Sequence, residues 1–548
     1  MEIKTRITSS LEKVFVSKDV TDYPRLEKLS ALRGERIAFQ LIFKSKSDVG
    51  RDWLIPSFSG ELSEYVTVRR VGHVPLVQPL GDLADDNYLS TEAGIFPDIL
   101  EPIRYGGNKA FASKSVLESL WIDVDIPADF SACESLLTVT LTTECGETCA
   151  IEKVLIDVIG ATLPEAELYY TRWFHADCLS HYYGVPVFSK RHWRIIENFL
   201  KTAVHGGVNT ILTPLVTPSL DGIRTIVQLV KIKKIGEKYS FNFNRLDKWI
   251  DMCDRVGIKY FEISHLTTQH GANGAPRIVA TVDGEEKLIF SYETDSRCPE
   301  YKSFLRSLLK AFIRHMKRRG DDTRCIYHIS DEPDLEHIDY YREAKTNIAD
   351  IIADYKHIDA LEDIDFYKNG LVGCPVPITS SAMNFIEAGV SPIWVYYCGG
   401  PAGDNYSNSF VAMPSWRTRS IGMQLYKYNI EGFLHWGYNY YYNIGSHNLI
   451  NPYLDLNAER WVPAGDTFIV YPENDGTALE SLRAEVFYHA LEDIRAMKLC
   501  EKYYSHGEVV GAIEDVLGYE LDFKGCVRSA EKMLMVRERI NQMIKAKL

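Results

Sequence analysis

The sequence predicts an α/β protein: a (β/α)8 TIM-type barrel with an N-terminal antiparallel β-sandwich domain and a helical C-terminal end. Three observations carry this reading. Residues 1–160 alternate short strand-like runs with turns and hold no long amphipathic helix. Beyond about residue 165 the rhythm becomes apolar run, polar turn, long helix, repeated about eight times over roughly 300 residues. From about Leu479 the pattern is helical. The expected domains are therefore a sandwich over 1–160, a catalytic barrel over 165–506, and a C-terminal helical extension over 507–548, packed on the barrel.

In the first domain, 35–43 and 136–141 read as strands, and Ala161-Thr162-Leu163-Pro164-Glu165 reads as a linker. Barrel strands are expected at 169–174, 210–213, 260–264, 325–329, 360–366, 393–397, 432–436 and 467–471, which makes 325–329 the fourth. Helices are expected at 193–204, 246–256, 301–318, 482–504 and 527–547.

At 548 residues the chain has room for two or three domains and a sizeable core. A net charge of −14 argues against nucleic-acid binding through the phosphate backbone, which needs a basic face. No run of 18 or more apolar residues predicts membrane insertion, and the N-terminus lacks the basic-then-apolar pattern of a signal peptide. The expected location is cytoplasmic, although a chain trimmed of its leader would look the same. Eleven Cys without a paired framework fit reduced thiols. The oligomeric state is not written in the sequence.

The run His328-Ile329-Ser330-Asp331-Glu332-Pro333 sets two adjacent carboxyls at the carboxyl end of the expected fourth strand, the face on which barrels bind ligands. The competing reading makes Ser330 or Asp331 simply a helix cap, with Pro333 in the first turn. A cap leaves the second acid unexplained, whereas paired acids can divide the work of proton donor and charge stabiliser. Other strand ends supply His175, Asp177, Glu262, His265, Gln269, Trp394, Tyr396, Tyr397, His435, Trp436, Tyr438 and Asn439. Together with His328 these suit a pyranose, whose hydroxyls want hydrogen bonds and whose apolar face wants an aromatic ring. Each aromatic taken singly is more often core.

A retaining glycosidase usually needs a second carboxyl as nucleophile, about 5 Å from the acid. The 432–436 end, counted as strand seven, has none, and Glu431 lies at the opposite face. A 2-acetamido group of the substrate can act instead, which requires one acid for the leaving oxygen and one carboxylate for the amide. Rival signals are weaker. Gly399-Gly400-Pro401-Ala402-Gly403 makes a poor phosphate loop. His175, Asp177 and His181 lack a tetrahedral metal-ligand set, so neither metal nor cofactor is expected. Arg417 and Arg419 fit a helix start or a substrate clamp.

Three segments, 327–333, 261–266 and 173–179, with support from 432–437 and from Tyr471-Pro472 leading to Ser481-Leu482-Arg483, resemble glycoside hydrolase family 123 over essentially the whole chain. The resemblance implies a retaining exo-acting β-N-acetylgalactosaminidase with Glu332 as general acid/base and Asp331 polarising the acetamido group. The implied partner is a carbohydrate, a glycan or glycolipid ending in an N-acetylhexosamine. A β-N-acetylglucosaminidase and a non-catalytic carbohydrate-binding protein are the alternatives.

Overall fold

Alternation in the N-terminal runs becomes two five-stranded sheets. The computed structural model describes residues 2–46, 52–80, 85, 87–103, 109–220, 222 and 224–548. One sheet orders Ile3–Ser9, Arg36–Ser45, Glu118–Asp125, Val66–Leu76 and Gly94–Pro102; the other orders Lys28–Arg33, Thr148–Thr162, Cys133–Thr143, Asp52–Ser59 and Ala110–Ala112. In Cys133–Thr143 the period of two buries Leu137, Val139 and Leu141 while Leu136 faces solvent. These side chains meet Phe39, Leu41, Leu120 and Ile122 of the first sheet in one apolar cluster. One pairing, Thr148–Thr162 with Lys28–Arg33, is parallel, so the sheets are not purely antiparallel.

The second part is a near-closed barrel of eight parallel strands: Tyr169–Arg172, Thr210–Thr213, Tyr260–Ile263, Cys325–Tyr327, Lys356–Ala360, Cys374–Val376, Trp394–Tyr396 and Gly432–His435. Strand one pairs with strand eight, and a parallel bridge from Ile378 to Tyr396 joins strands six and seven. Two expected strands are corrected. The fifth strand ends at Ala360, where 360–366 was expected to begin, and Asp365–Lys368 is helical. Of 467–471 only Tyr471 is in a strand, a two-residue ladder with Ala478–Leu479 outside the barrel. The sixth strand, Cys374-Pro375-Val376, escaped notice because its proline cannot donate to a ladder and reads as a strand breaker. Cys325–Tyr327 remains fourth, but Trp394–Tyr396 is seventh and Gly432–His435 eighth.

Helices Lys190–His205, Asn244–Val256 and Pro299–Arg319 pack on the barrel, and a four-stranded sheet formed by 231–235, 238–242, 278–282 and 285–290 is inserted after strands two and three. The chain ends in helices Leu482–Cys500, His506–Leu517 and Ala530–Lys545. The last helix touches both halves: Arg537 pairs with Asp493 and Glu35, and Lys545 with Asp157. Where the halves meet, the buried Arg483 guanidinium binds Asp98 at 2.9 Å. Among the described residues no helix is long and apolar enough to cross a membrane.

Candidate active site

Strand four is short, yet the chain beyond it is held rigidly. The buried Ile329 N–H donates to both Asp359 oxygens at 3.0 and 3.2 Å, and Ile329 O accepts from Thr267 Oγ1 at 2.6 Å. Ser330 Oγ donates to Thr268 O at 2.8 Å, so it caps no helix. The helix expected there starts at Ile338, behind a 3-10 turn at Leu335–His337, and neither Ser330 nor Asp331 caps it.

Neighbouring side chains on an extended strand point to opposite sides. Asp331 and Glu332 nevertheless line one cavity of ≈ 290 Å³, because Glu332 adopts φ +42°, the left-handed region that a residue with a Cβ enters only at a cost. The kink is clamped from both sides. Glu332 N–H donates to Ala360 O at the end of strand five (3.0 Å), and His270 N–H donates to Asp331 O (2.8 Å). Gln269 Nε2 donates to Asp331 Oδ2 at 2.9 Å, and Tyr396 donates its hydroxyl to Glu332 Oε1. Burial first, and then the Glu332 charge, hold the Tyr396 phenol well above its usual range, so it remains a donor. His270 Nδ1 lies 4.0 Å from Glu332 Oε2.

Beneath the acids, the barrel interior holds a buried network of hydrogen-bonded ionisable groups. His328 Nε2 donates to Glu262 Oε1 at 2.7 Å and Nδ1 to Asp359 Oδ1 at 3.1 Å. Burial opposes the imidazolium, but hydrogen bonds to Asp359 and Glu262 prevail and raise His328 to about 10. Asp359 also accepts from His357 and Tyr341. Burial works against its charge, yet the bonds from His328 and His357 hold it well below the carboxylate range. Glu262 accepts in addition from Trp173 Nε1 (2.7 Å) and Thr171 Oγ1 (2.6 Å), which fixes the indole at the cavity floor. The His265 ring lies tilted against that of His328, their centroids 4.3 Å apart; burial and the His328 charge keep it neutral, and neither of its ring nitrogens has a hydrogen-bond partner. His265, His328 and Asp359 could geometrically surround a metal. With both nitrogens donating to carboxylates, His328 has no lone pair to offer, so the set does not fit one.

The far wall comes from strands seven and eight. Gly399, Gly400, Trp436, Trp461, Val462 and Asp466 line it. Trp436 Nε1 donates to Asp466 Oδ2 at 3.0 Å. His435 accepts the Gly437 N–H at Nδ1 (2.9 Å), which puts its hydrogen on Nε2, 3.4 Å from Asp466 Oδ1. Burial, then Arg172 and Arg483, keep His435 neutral.

The sequence model for "Glycoside hydrolase 123, catalytic domain" matches residues 173–500, more than half of the chain. The chain belongs to glycoside hydrolase family 123. The structure resembles that of a family 123 glycoside hydrolase from Clostridium perfringens, described for glycolipid glycan hydrolysis, with TM-score 0.72 and 17% identity over 99% of this chain and 98% of that one. At that identity the likeness speaks for the fold. A Parabacteroides merdae β-glucuronidase aligns with TM-score 0.32 and 11% identity over 90% of this chain and 52% of its own, and carries no argument. A search of curated protein sequences finds no match.

Within this family 123 fold the expected site residues fall into three groups. Asp331, Glu332, Gln269, Tyr396 and Trp436 line the cavity. Glu262, His265, His328 and His435 are buried in the layer of side chains beneath it or behind its wall. The remainder serve the scaffold. Asp177 pairs with Arg224, whose Nη2 also donates to His175 Nδ1 (2.9 Å), while His175 Nε2 donates to Trp436 O (2.8 Å). Asn439 brackets the His175 backbone, Tyr438 donates to Phe199 O, Tyr397 is buried against Phe433, and Trp394 stacks on Tyr169 within the barrel. Arg417 ties Asp85 to the chain and Arg419 pairs with Asp493, so neither lines the cavity. Sequence reading missed Trp461 and Asp466 as lining residues, whereas His270 belongs to the Gln269-His270-Gly271 run that it places after the third strand.

Proposed function

We propose that this family 123 glycosidase removes terminal β-linked N-acetylgalactosamine with retention, using the substrate's own acetamido oxygen as nucleophile. The observation that carries the reading is the convergence of two consecutive carboxyls on one cavity through the left-handed turn at Glu332. Each acid has its own orienting donor, Gln269 for Asp331 and Tyr396 for Glu332.

In this reading Glu332 gives its proton to the leaving oxygen as the C1–O bond breaks and the acetamido oxygen closes on C1. Asp331 accepts the amide N–H hydrogen bond and stabilises the oxazolinium. Glu332, now a carboxylate, takes a proton from water as the water oxygen attacks C1 and the ring opens back to the acetamide. Two inversions give net retention. Trp173, Trp436 and Trp461 supply apolar faces for the sugar. A cavity of ≈ 290 Å³ is at the small end of ligand sites, which supports a single terminal residue as occupant. The catalytic unit would be the barrel over 165–506. A glycolipid glycan, the substrate named for the Clostridium relative, is the class to try first.

Hydrolysis of nitrophenyl β-glycosides of N-acetylgalactosamine, N-acetylglucosamine and galactose tests the reading. Both acetamido sugars should outrun the galactoside, with N-acetylgalactosamine foremost. Equal turnover of the galactoside would overturn it.

A further inference from the structure

Asp466 is the carboxylate of the cavity to which the reaction above gives no task. It is buried, lines the same space as Asp331 and Glu332, and stands on a different wall. In an eight-stranded ring, strand eight lies opposite strand four. Asp466 is fastened to Trp436 at the end of strand eight, and the acid pair leaves strand four.

Its placement is built by close backbone packing. A Cβ on Gly437 would meet Asp466 O at 2.2 Å, so only glycine lets the returning segment cross the barrel mouth there. On the cavity side, a Cβ on Gly399 would come within ordinary contact of Asp466 Oδ2, Pro463 and Val462, at 3.6 to 3.7 Å. Glycine there leaves the wall beside the carboxylate bare. The indole N–H of Trp436 fixes the rotamer at 3.0 Å while its ring remains part of the cavity wall. His435, being neutral, adds no counter-charge.

We infer that Asp466 is a specificity-determining residue, accepting hydrogen bonds from the hydroxyls at the end of the sugar ring remote from C1 and C2. The inference rests on the proposed acetamido-assisted reading, which assigns C1 and C2 to Glu332 and Asp331. The remote hydroxyls are those on C4 and C6. A carboxylate is an acceptor only, so it selects hydroxyl donors and disfavours a sugar carrying an anionic carboxyl or sulfate at those positions. Because the C4 hydroxyl differs in direction between galacto and gluco sugars, Asp466 also bears on that choice.

The experiment compares kcat/KM for nitrophenyl β-N-acetylgalactosaminide with its 4-deoxy and 6-deoxy analogues, on wild type, Asp466→Ala and the near-isosteric Asp466→Asn. Hydrogen bonds to a charged group are worth about 1.5–3 kcal/mol, or about 10- to 150-fold. Wild type should therefore discriminate against at least one deoxy analogue by that factor, and both variants should lose most of that discrimination. Thermal melting checks that the variants fold. Unchanged discrimination in folded variants, or an equal loss on all three substrates, would overturn the assignment of Asp466 alone. So would recovery of Asp466→Ala by azide with formation of a glycosyl azide, which would mark a nucleophile. Wild type inactive on every acetamido substrate would overturn the underlying reading and this inference with it.

Discussion

Gln269 Nε2 lies 2.9 Å from Asp331 Oδ2, so the loop after strand three reaches the carboxylate that leaves strand four. A hydrogen bond between loops fixes the side chain that, in the proposed reaction, steers the amide. Gln269→Ala should lower kcat/KM about tenfold or more, and by the same factor for good and poor leaving groups, since the amide must be oriented in either case. Leaving-group-dependent loss would assign Gln269 to proton transfer instead.

Glu332 and Asp331 should separate by leaving group. Glu332→Gln is expected to lose about 100- to 10,000-fold on alkyl glycosides and little on dinitrophenyl glycosides, where no proton is needed. Asp331→Asn should fall on both. Steady-state rates on the two substrate classes decide it.

The left-handed Glu332 backbone predicts a trade of stability for geometry. A left-handed residue with a Cβ costs about 1–2 kcal/mol, and glycine avoids most of that. Glu332→Gly should therefore unfold at higher denaturant than Glu332→Ala, by about 1 kcal/mol. Equal stability would mean the kink is not strained.

His328 between Glu262 and Asp359 makes stability fall with alkali. Its folded value of about 10 lies above the ordinary histidine value of about 6.5, so the native state binds the extra proton. The contribution is complete below about pH 6.5 and is lost as pH rises through 10. Melting temperature should drop across that window in wild type and drop less in His328→Gln. That variant should also be less stable at neutral pH by about 3–5 kcal/mol, having left two buried carboxylates uncompensated.

The barrel, its fourth strand and the acid pair were legible in the sequence because each is a local signal: an apolar run, a turn, adjacent carboxyls. The missing acid after the supposed seventh strand also survives renumbering, since the true seventh strand is followed by Tyr397, Cys398 and Gly399. Strand parity separates two residues that composition could not: Tyr396 faces the cavity, so its neighbour Tyr397 points away from it, into the core. Asp466 had no local signal. It follows strand eight by a long excursion, and tertiary contacts bring it to the cavity: its bond to Trp436, the close crossing at Gly437 and the antiparallel bridge of Asn439 with Phe468. The Cys374–Val376 strand was hidden for the opposite reason, a local breaker tolerated by tertiary pairing with Lys356–Ala360.

The central claim is that the substrate's acetamido oxygen is the nucleophile held by Asp331. The most direct measurement is kcat/KM for nitrophenyl 2-acetamido-β-galactosides carrying zero, one, two and three fluorines on the acetyl group. Fluorine drains electron density from the carbonyl oxygen without moving it. The account predicts a steep, progressive fall across the series, through several powers of ten, and retention at C1. A flat series would contradict it and place the nucleophile on the protein.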